Sequence, residues 1–169
     1  YTVLFASSDE NAERLSSVMD AVLAHNIDGV IVAPCTGGDD AVRKATEAGV
    51  PVVLLDRDIV DMENVGKVLL DDVEAGAMAT KLFLDRGYRK IEMISYSLGI
   101  SSLEERESGY RKAMIEQGLE QDVKVHYTSY ANAAQDVPGI IRDAVSRGVE
   151  AMFLPTYSLS ALVLMTMRD

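Results

Sequence analysis

Two acidic pairs, Asp39-Asp40 and Asp71-Asp72, are the residues whose type and spacing come nearest to chemistry. Adjacent carboxylates can hold a magnesium ion or accept a phosphoryl group, as in a receiver site. They can equally satisfy the free N–H groups at a helix start and complement its dipole. Asp39-Asp40 reads as a helix start. Asp71-Asp72 carries both readings: one of the two caps a helix beginning near Val73, or the pair is the centre of an enzyme or phospho-receiver. The second reading needs a metal or phosphate partner, and the sequence offers no evident one. His25 and His126 lie far apart, without an H-E-x-x-H motif or a cysteine pair, so no metal site is expected. The lone Gly37-Gly38 reads as a turn. No G-x-G-x-x-G, G-x-x-x-x-G-K-[ST] or G-x-S-x-G is present, so no cofactor and no nucleophile elbow are expected.

The elements that must position such residues alternate along almost the whole chain. An apolar run over Tyr1 to Ser7 is followed by a helical face of Leu15, Val18, Met19, Val22 and Leu23. Gly29 to Pro34 reads as a strand, a helix with Ala41, Val42 and Ala45 stops at Gly49, and Pro51 to Leu55 is a third strand. Val65 to Leu70 is a further strand. Ala75, Met78, Ala79, Leu82 and Phe83 then line one side of a helix that ends at Gly87. Ile91 to Ser95 is a strand, and Glu104 to Gln117 a helix with Tyr110, Ala113 and Met114 inward. Val123 to Ser129 is a strand, Val137 to Val145 marks a helix closed by Gly148, Ala151 to Leu154 is the last strand, and a helix begins at Leu159.

Such alternation makes the fold class α/β, with parallel sheets flanked by helices. Ligands in such folds lie beyond the carboxyl ends of the strands. The positions to inspect are therefore Ser7 and Ser8, Pro34 to Gly38, Asp56 and Arg57, Asp71 and Asp72, Ser95 to Ser102, Tyr130, and Pro155 to Ser158.

The 169 residues carry 27 acids against 16 Lys and Arg, a net charge of -11, and no basic stripe. A surface that grips nucleic acid needs clustered cations to displace counterions, so this chain is not expected to hold DNA or RNA by itself. No apolar run is long enough to span a bilayer. Cys35, the single cysteine, excludes an intrachain disulfide, fits a reducing cytoplasm and reads as a small core filler. The eight methionines read mostly as core packing on helix faces.

One stretch is more specific. Leu70 to Gly118 contains Asp71-Asp72, Ala75-Gly76, Gly87-Tyr88-Arg89-Lys90-Ile91, Glu105-Arg106 and Gly109-Tyr110. This series resembles the signature of lactose-repressor/galactose-repressor family cores: an Asp-Asn opening, an A-G pair, G-[HY]-R-x-I, then E-R-x-x-G-[YF]. Ile27 to Pro34 (IDGVIVAP) is similar to that family's V-D-G-I-I-x-x-P strand. Gly49-Val50-Pro51-Val52-Val53 leading into Asp56-Arg57 is similar to its G-I-P-V-V-x-x-D-R. Each motif is weak alone, but their order and spacing hold across nearly the whole chain.

The resemblance implies a two-lobed, periplasmic-binding-protein-like fold, incomplete here. Residues 1–70 would form part of an N-terminal effector-binding lobe and 71–169 part of a C-terminal one, with a small ligand in the cleft. It implies effector contacts from Arg106, whose fork of donors suits hydroxyl pairs or carboxylates. Asp71 would accept bonds from sugar hydroxyls, with Ser102 one turn before Arg106 and Tyr130 as an aromatic face. Asp56 and Arg57 would grip a sugar or brace the cleft. Thr156 and Tyr157 stand where the family has a polar pair, and Tyr157 departs from that pattern. The resemblance further implies a cytoplasmic, homodimeric regulator that reaches operator DNA only through a headpiece not in this chain. The core's first strand and helix, and its final strands, are likewise expected to be missing. The alternatives are a periplasmic sugar-binding protein of a transporter and, further off, an enzyme or phospho-receiver using Asp71 and Asp72.

Overall fold

The computed structural model describes residues 2–97 and 99–168. The chain divides into two compact units, Tyr1–Leu70 and Asp71–Asp169.

In the first unit, helices α1 (Ala12–Ala24) and α2 (Asp39–Glu47) accompany strands β1 (Val30–Val32), β2 (Val52–Leu55) and β3 (Gly66–Val68). The strands form a parallel sheet in the order β1-β2-β3, with Val30 opposite Val52 and Val53 opposite Gly66. Among the described residues, apolar side chains alone fill its core, including Leu15, Met19, Val42, Leu54 and the free Cys35. Asp39 and Asp40 occupy the first turn of α2, as their helix-start reading requires.

Of the apolar run Tyr1 to Ser7, whose first residue lies outside the described residues, positions 2–7 do not form a strand. They have no regular structure, and Phe5 is 94% exposed. An extended run becomes a strand only when a neighbour takes its N–H and C=O groups. The sheet carries no strand on the other side of β1 among the described residues.

The second unit runs α3 (Asp72–Asp85), β4 (Ile91–Tyr96), α4 (Ser101–Glu116), β5 (Lys124–Thr128), α5 (Ala133–Ser146), β6 (Ala151–Phe153) and α6 (Tyr157–Thr166). Its parallel sheet has the order β5-β4-β6, and every residue of the central strand β4 is buried. A short 3-10 turn over Glu120–Asp122, not foreseen in the sequence, leads into β5.

Two glycines of the motif series set the packing here. A Cβ on Gly76 would run into the backbone carbonyl of Arg106, and one on Gly109 into the carbonyl of Val73. α3 and α4 therefore cross backbone against backbone, which only glycine permits. Tyr110, fully buried beside Gly109, donates its hydroxyl to the Ile91 carbonyl at 2.7 Å and accepts from the Lys124 N–H at 3.1 Å. It pins α4 to β4 and β5 at once. The junction before β4 is held by Glu150, whose carboxylate accepts from the N–H groups of Arg89 (2.7 Å) and Lys90 (3.0 Å). Those two bonds lower its pKa.

That crossing also overrides the expected burial of α3. The helix buries Asp72, Gly76, Ala77, Thr80 and Leu84, while Met78 and Leu82 of the apolar stripe stay exposed. Three of the eight methionines, Met78, Met165 and Met167, lie on the surface instead of in a core. α4 and α6 each begin earlier than the apolar pattern announces, at Ser101 and Tyr157.

Candidate functional site

The strand ends of the second unit gather the most chemistry. Asp71 is the N-cap of α3, and its carboxylate accepts from the Glu74 N–H at 2.9 Å. The capping reading of the acidic pair is thus the one realised, by its first member. Asp72 takes a different course. It is 2% exposed and accepts from Arg106 Nε at 2.6 Å. Arg106 stands in the middle of α4, and its NH1 nitrogen donates to the Pro155 carbonyl, just past β6, at 2.8 Å. The close α3–α4 crossing at Gly76 brings these two side chains together. The guanidinium is held on two sides, yet its side chain keeps 21% exposure. NH2 makes no hydrogen bond among the described residues, which leaves it available to a ligand oxygen.

At the end of the central strand, Tyr130 lies against Tyr96, the last residue of β4, with ring centroids 4.0 Å apart and 30° between planes. Tyr130 keeps 47% exposure, so its ring is open to solvent. Tyr96 Oη is 3.0 Å from Ser158 Oγ, which in turn is 3.2 Å from Thr156 Oγ1. Thr156 also caps α6 by accepting from the Leu159 N–H. Ser102 is buried one turn before Arg106 at the start of α4, and Tyr157 is 89% exposed. Arg106, Tyr130 and Thr156 are thus linked through Pro155, Ser158 and Tyr96 at one end of one sheet.

Asp56 and Arg57 belong to the other unit, at the end of β2. Asp56 adopts a left-handed backbone (φ 67°), which turns the chain so that Arg57 NH1 donates to Glu10 at 2.7 Å and to the Pro34 carbonyl at 3.0 Å. Glu10 was not singled out in the sequence, and nothing in its surroundings marks it. Pro155 and Ser158 were inside the strand-end windows. Asp72 was singled out only as half of an acidic pair.

An open pocket of about 470 Å³ lies at the end of β4 and along α4, lined by Tyr96, Ser97, Leu103, Glu107, Arg111 and Tyr127 among others. Glu107 accepts from Tyr127 Oη and Arg111 Nε, each at 2.8 Å. Burial, and then the neighbouring Glu107, push the Tyr127 pKa up. Near the start of β4 stands a charged brace. Glu92, 5% exposed, accepts from both terminal nitrogens of Arg147 and lies 2.7 Å from His126 Nε2. Burial by itself would raise the Glu92 pKa, but the Arg147 and His126 contacts outweigh it and hold the group at about 2. No cluster of three or more His, Cys, Asp or Glu able to hold a metal ion occurs among the described residues.

A parallel α/β fold whose strand ends carry a braced arginine, an open aromatic ring and hydroxyls has the features of a small-ligand-binding domain. The comparisons agree: the chain belongs to the periplasmic binding protein domain family, which residues 1–157 match. It is 29% identical over 161 residues to the HTH-type transcriptional regulator CelR of Thermobifida fusca, covering 92% of this chain and 46% of that protein. It is 29% identical over 118 residues to the ribose operon repressor of Haemophilus influenzae, covering 69% and 34%. Among solved structures, the Cra transcriptional dual regulator of Pseudomonas putida in complex with fructose 1-phosphate superposes with a TM-score of 0.83 at 24% identity, over 99% of this chain and 62% of that one. The periplasmic binding protein of the arabinose ABC transporter from Shewanella sp. ANA-3 gives 0.79 at 18% identity, over 97% and 57%. The resemblance to lactose-repressor/galactose-repressor cores read from the motifs therefore holds, and the curated relatives are regulators, not enzymes. The chain spans about a third to a half of the length of those relatives.

Proposed function

We propose that this chain is the effector-sensing core of a DNA-binding transcription regulator and that its effector is a small polyhydroxylated metabolite, a sugar. The observation that carries the reading is Arg106, fixed by Asp72 and Pro155, at the end of the sheet that also carries the exposed Tyr130 ring against Tyr96. Such a guanidinium offers paired donors to vicinal hydroxyls, and the ring offers an apolar face to the sugar's C–H side. Asp71, Ser102, Thr156 and Tyr157 would complete the contacts from the second unit; Asp56 and Arg57 are proposed as ligand-facing residues at the strand ends of the first. The fructose 1-phosphate and arabinofuranose bound by the two solved neighbours support a sugar-class ligand. The regulator would act in the cytoplasm as a homodimer, with the effector shifting a two-state equilibrium that operator DNA also senses through a separate headpiece.

A thermal-shift screen of sugars, sugar phosphates and purines, repeated with Arg106→Ala, tests the site. A ligand at a hundred times its Kd stabilises the native state by about 2.7 kcal/mol. The expected result is a sugar-induced shift that Arg106→Ala abolishes; a shift that survives the substitution refutes the site. The Shewanella likeness favours a second reading, a transporter's sugar-binding component. A signal peptide encoded upstream, in place of a basic headpiece, would select it.

A further inference from the structure

The charge of Arg106 at the strand ends of the second unit is already matched by Asp72, as that of Arg111 beside the end of β4 is by Glu107. The segments that form those ends, Ser95–Ser97, Gly99–Ser102, Ser129–Asn132 and Pro155–Ser158, contain no Lys or Arg. Acids, by contrast, stand at the starts of α3 and α4, though the first turn of α6 has none. Asp71 and Asp72 open α3, and the first turn of α4 carries Glu104. Asp72 is buried and in direct contact with Arg106, so no counter-ion or solvent stands between the two charges. The α3 N-terminus, whose dipole would otherwise attract an anion, is occupied by the Asp71 carboxylate.

We infer that Asp72, by neutralising Arg106 from its buried side, sets the ligand class of this site: an uncharged polyol, with sugar phosphates and sugar acids rejected. The inference rests on the sugar-binding reading given above and deepens it. A phosphate approaching the open edge of Arg106 meets a guanidinium whose charge Asp72 already matches, with the Asp71 carboxylate on the adjacent residue at the α3 cap, and loses its hydration without a net attraction. A cation cannot use the open N–H edge. A neutral hydroxyl uses both partners, accepting from Arg106 and donating to Asp71. An Asn at position 72 would keep the acceptor for Arg106 Nε while leaving the guanidinium charge unmatched. The charge of residue 72 therefore acts as a selector, separate from its hydrogen bond.

The test uses matched pairs on the full-length protein: ribose with ribose 5-phosphate, fructose with fructose 1-phosphate, and glucose with glucose 6-phosphate, by calorimetric titration. For the pair that binds, the neutral member is expected to win by at least ~10-fold in Kd, about 1.4 kcal/mol. Asp72→Asn should narrow or invert that ratio by a comparable factor. Asp71→Asn, which caps a helix as well as Asp does and so protects the test against a folding failure at residue 72, should move it the same way by less. A wild-type preference for the phosphate, or a ratio unmoved in both variants, overturns the inference while leaving a sugar site in place. Absence of any Arg106-dependent binding across all pairs overturns the sugar-binding reading itself, and this inference with it.

Discussion

The two units have similar architectures but different interiors. Among the described residues of Tyr1–Leu70, the buried side chains are all apolar, and the ion pairs Asp9–Arg14, Asp20–Lys44 and Asp58–Lys67 lie at or near the surface. In Asp71–Asp169 the buried set includes Asp72, Thr80, Glu92, Ser95, Ser102 and Thr128. An apolar core is tolerant, because roughly the right volume suffices. A buried carboxylate is stable only with its partner in place, so each one dictates where another side chain must be. Asp72 dictates Arg106; Glu92 dictates Arg147 and His126. The second unit gives up tolerance and gains fixed geometry, at its strand ends through Asp72 and near the start of β4 through Glu92.

The sharpest way to break this contrast is to open the α3–α4 crossing. Gly76→Ala puts a methyl group against the Arg106 carbonyl, and the obstacle is backbone that cannot rotate away. A loss of at least ~3 kcal/mol is expected in a urea melt, at the upper end of overpacking costs. Gly49→Ala in the first unit has open space around the new methyl and only an unfavourable φ of 77° to bear, which costs about 1–2 kcal/mol. Equal losses at the two positions would mean that the crossing is not tight.

Acid should separate the units next. The folded Glu92 pKa of about 2 lies below its ordinary 4.5, so the group stabilises the fold at neutral pH by something on the order of 3 kcal/mol. Because the folded pKa is depressed, that stability is complete above pH 4.5 and is lost as pH falls towards 2. Amide exchange should show β4 and β5 losing protection across that window before β1 and β2 do. The same order in Glu92→Gln would remove Glu92 as the cause.

The helix-stopping glycines were plain in the sequence: Gly49, Gly87, Gly118 and Gly148 all have positive φ where each helix was expected to end. The strand runs were equally plain, because β-branched runs between such stops have few other uses. The inward face of α3 was not. Its periodicity marks Ala75, Met78 and Leu82, but the face that packs is chosen by glycine and by a buried charge, and both score as poor core residues. Nor could two adjacent aspartates be told apart, since one residue's rotation about a helix separates an exposed cap from a buried ion pair. The Glu10–Arg57 contact spans 47 positions and depends on a left-handed turn at Asp56, which has no sequence signature. The motif resemblance pointed to Arg106 but did not supply the reason for its posture.

The two strand-end arginines give the finest version of the comparison. Arg57 leans on a loop residue, Glu10, whose side chain is 47% exposed, whereas Arg106 leans on a carboxylate that is 2% exposed. Solvent screens the first pair and scarcely reaches the second. Glu10→Gln should therefore cost less than about 1 kcal/mol, and raising the salt concentration should shrink even that difference. The wild-type protein, melted in urea at low and high salt beside the variant, gives the measurement directly. A loss of several kcal/mol that is indifferent to salt would show the Glu10 pair to be as dry as Asp72–Arg106. The first unit would then also hold its arginine by a desolvated charge, and the asymmetry between the two strand ends would disappear.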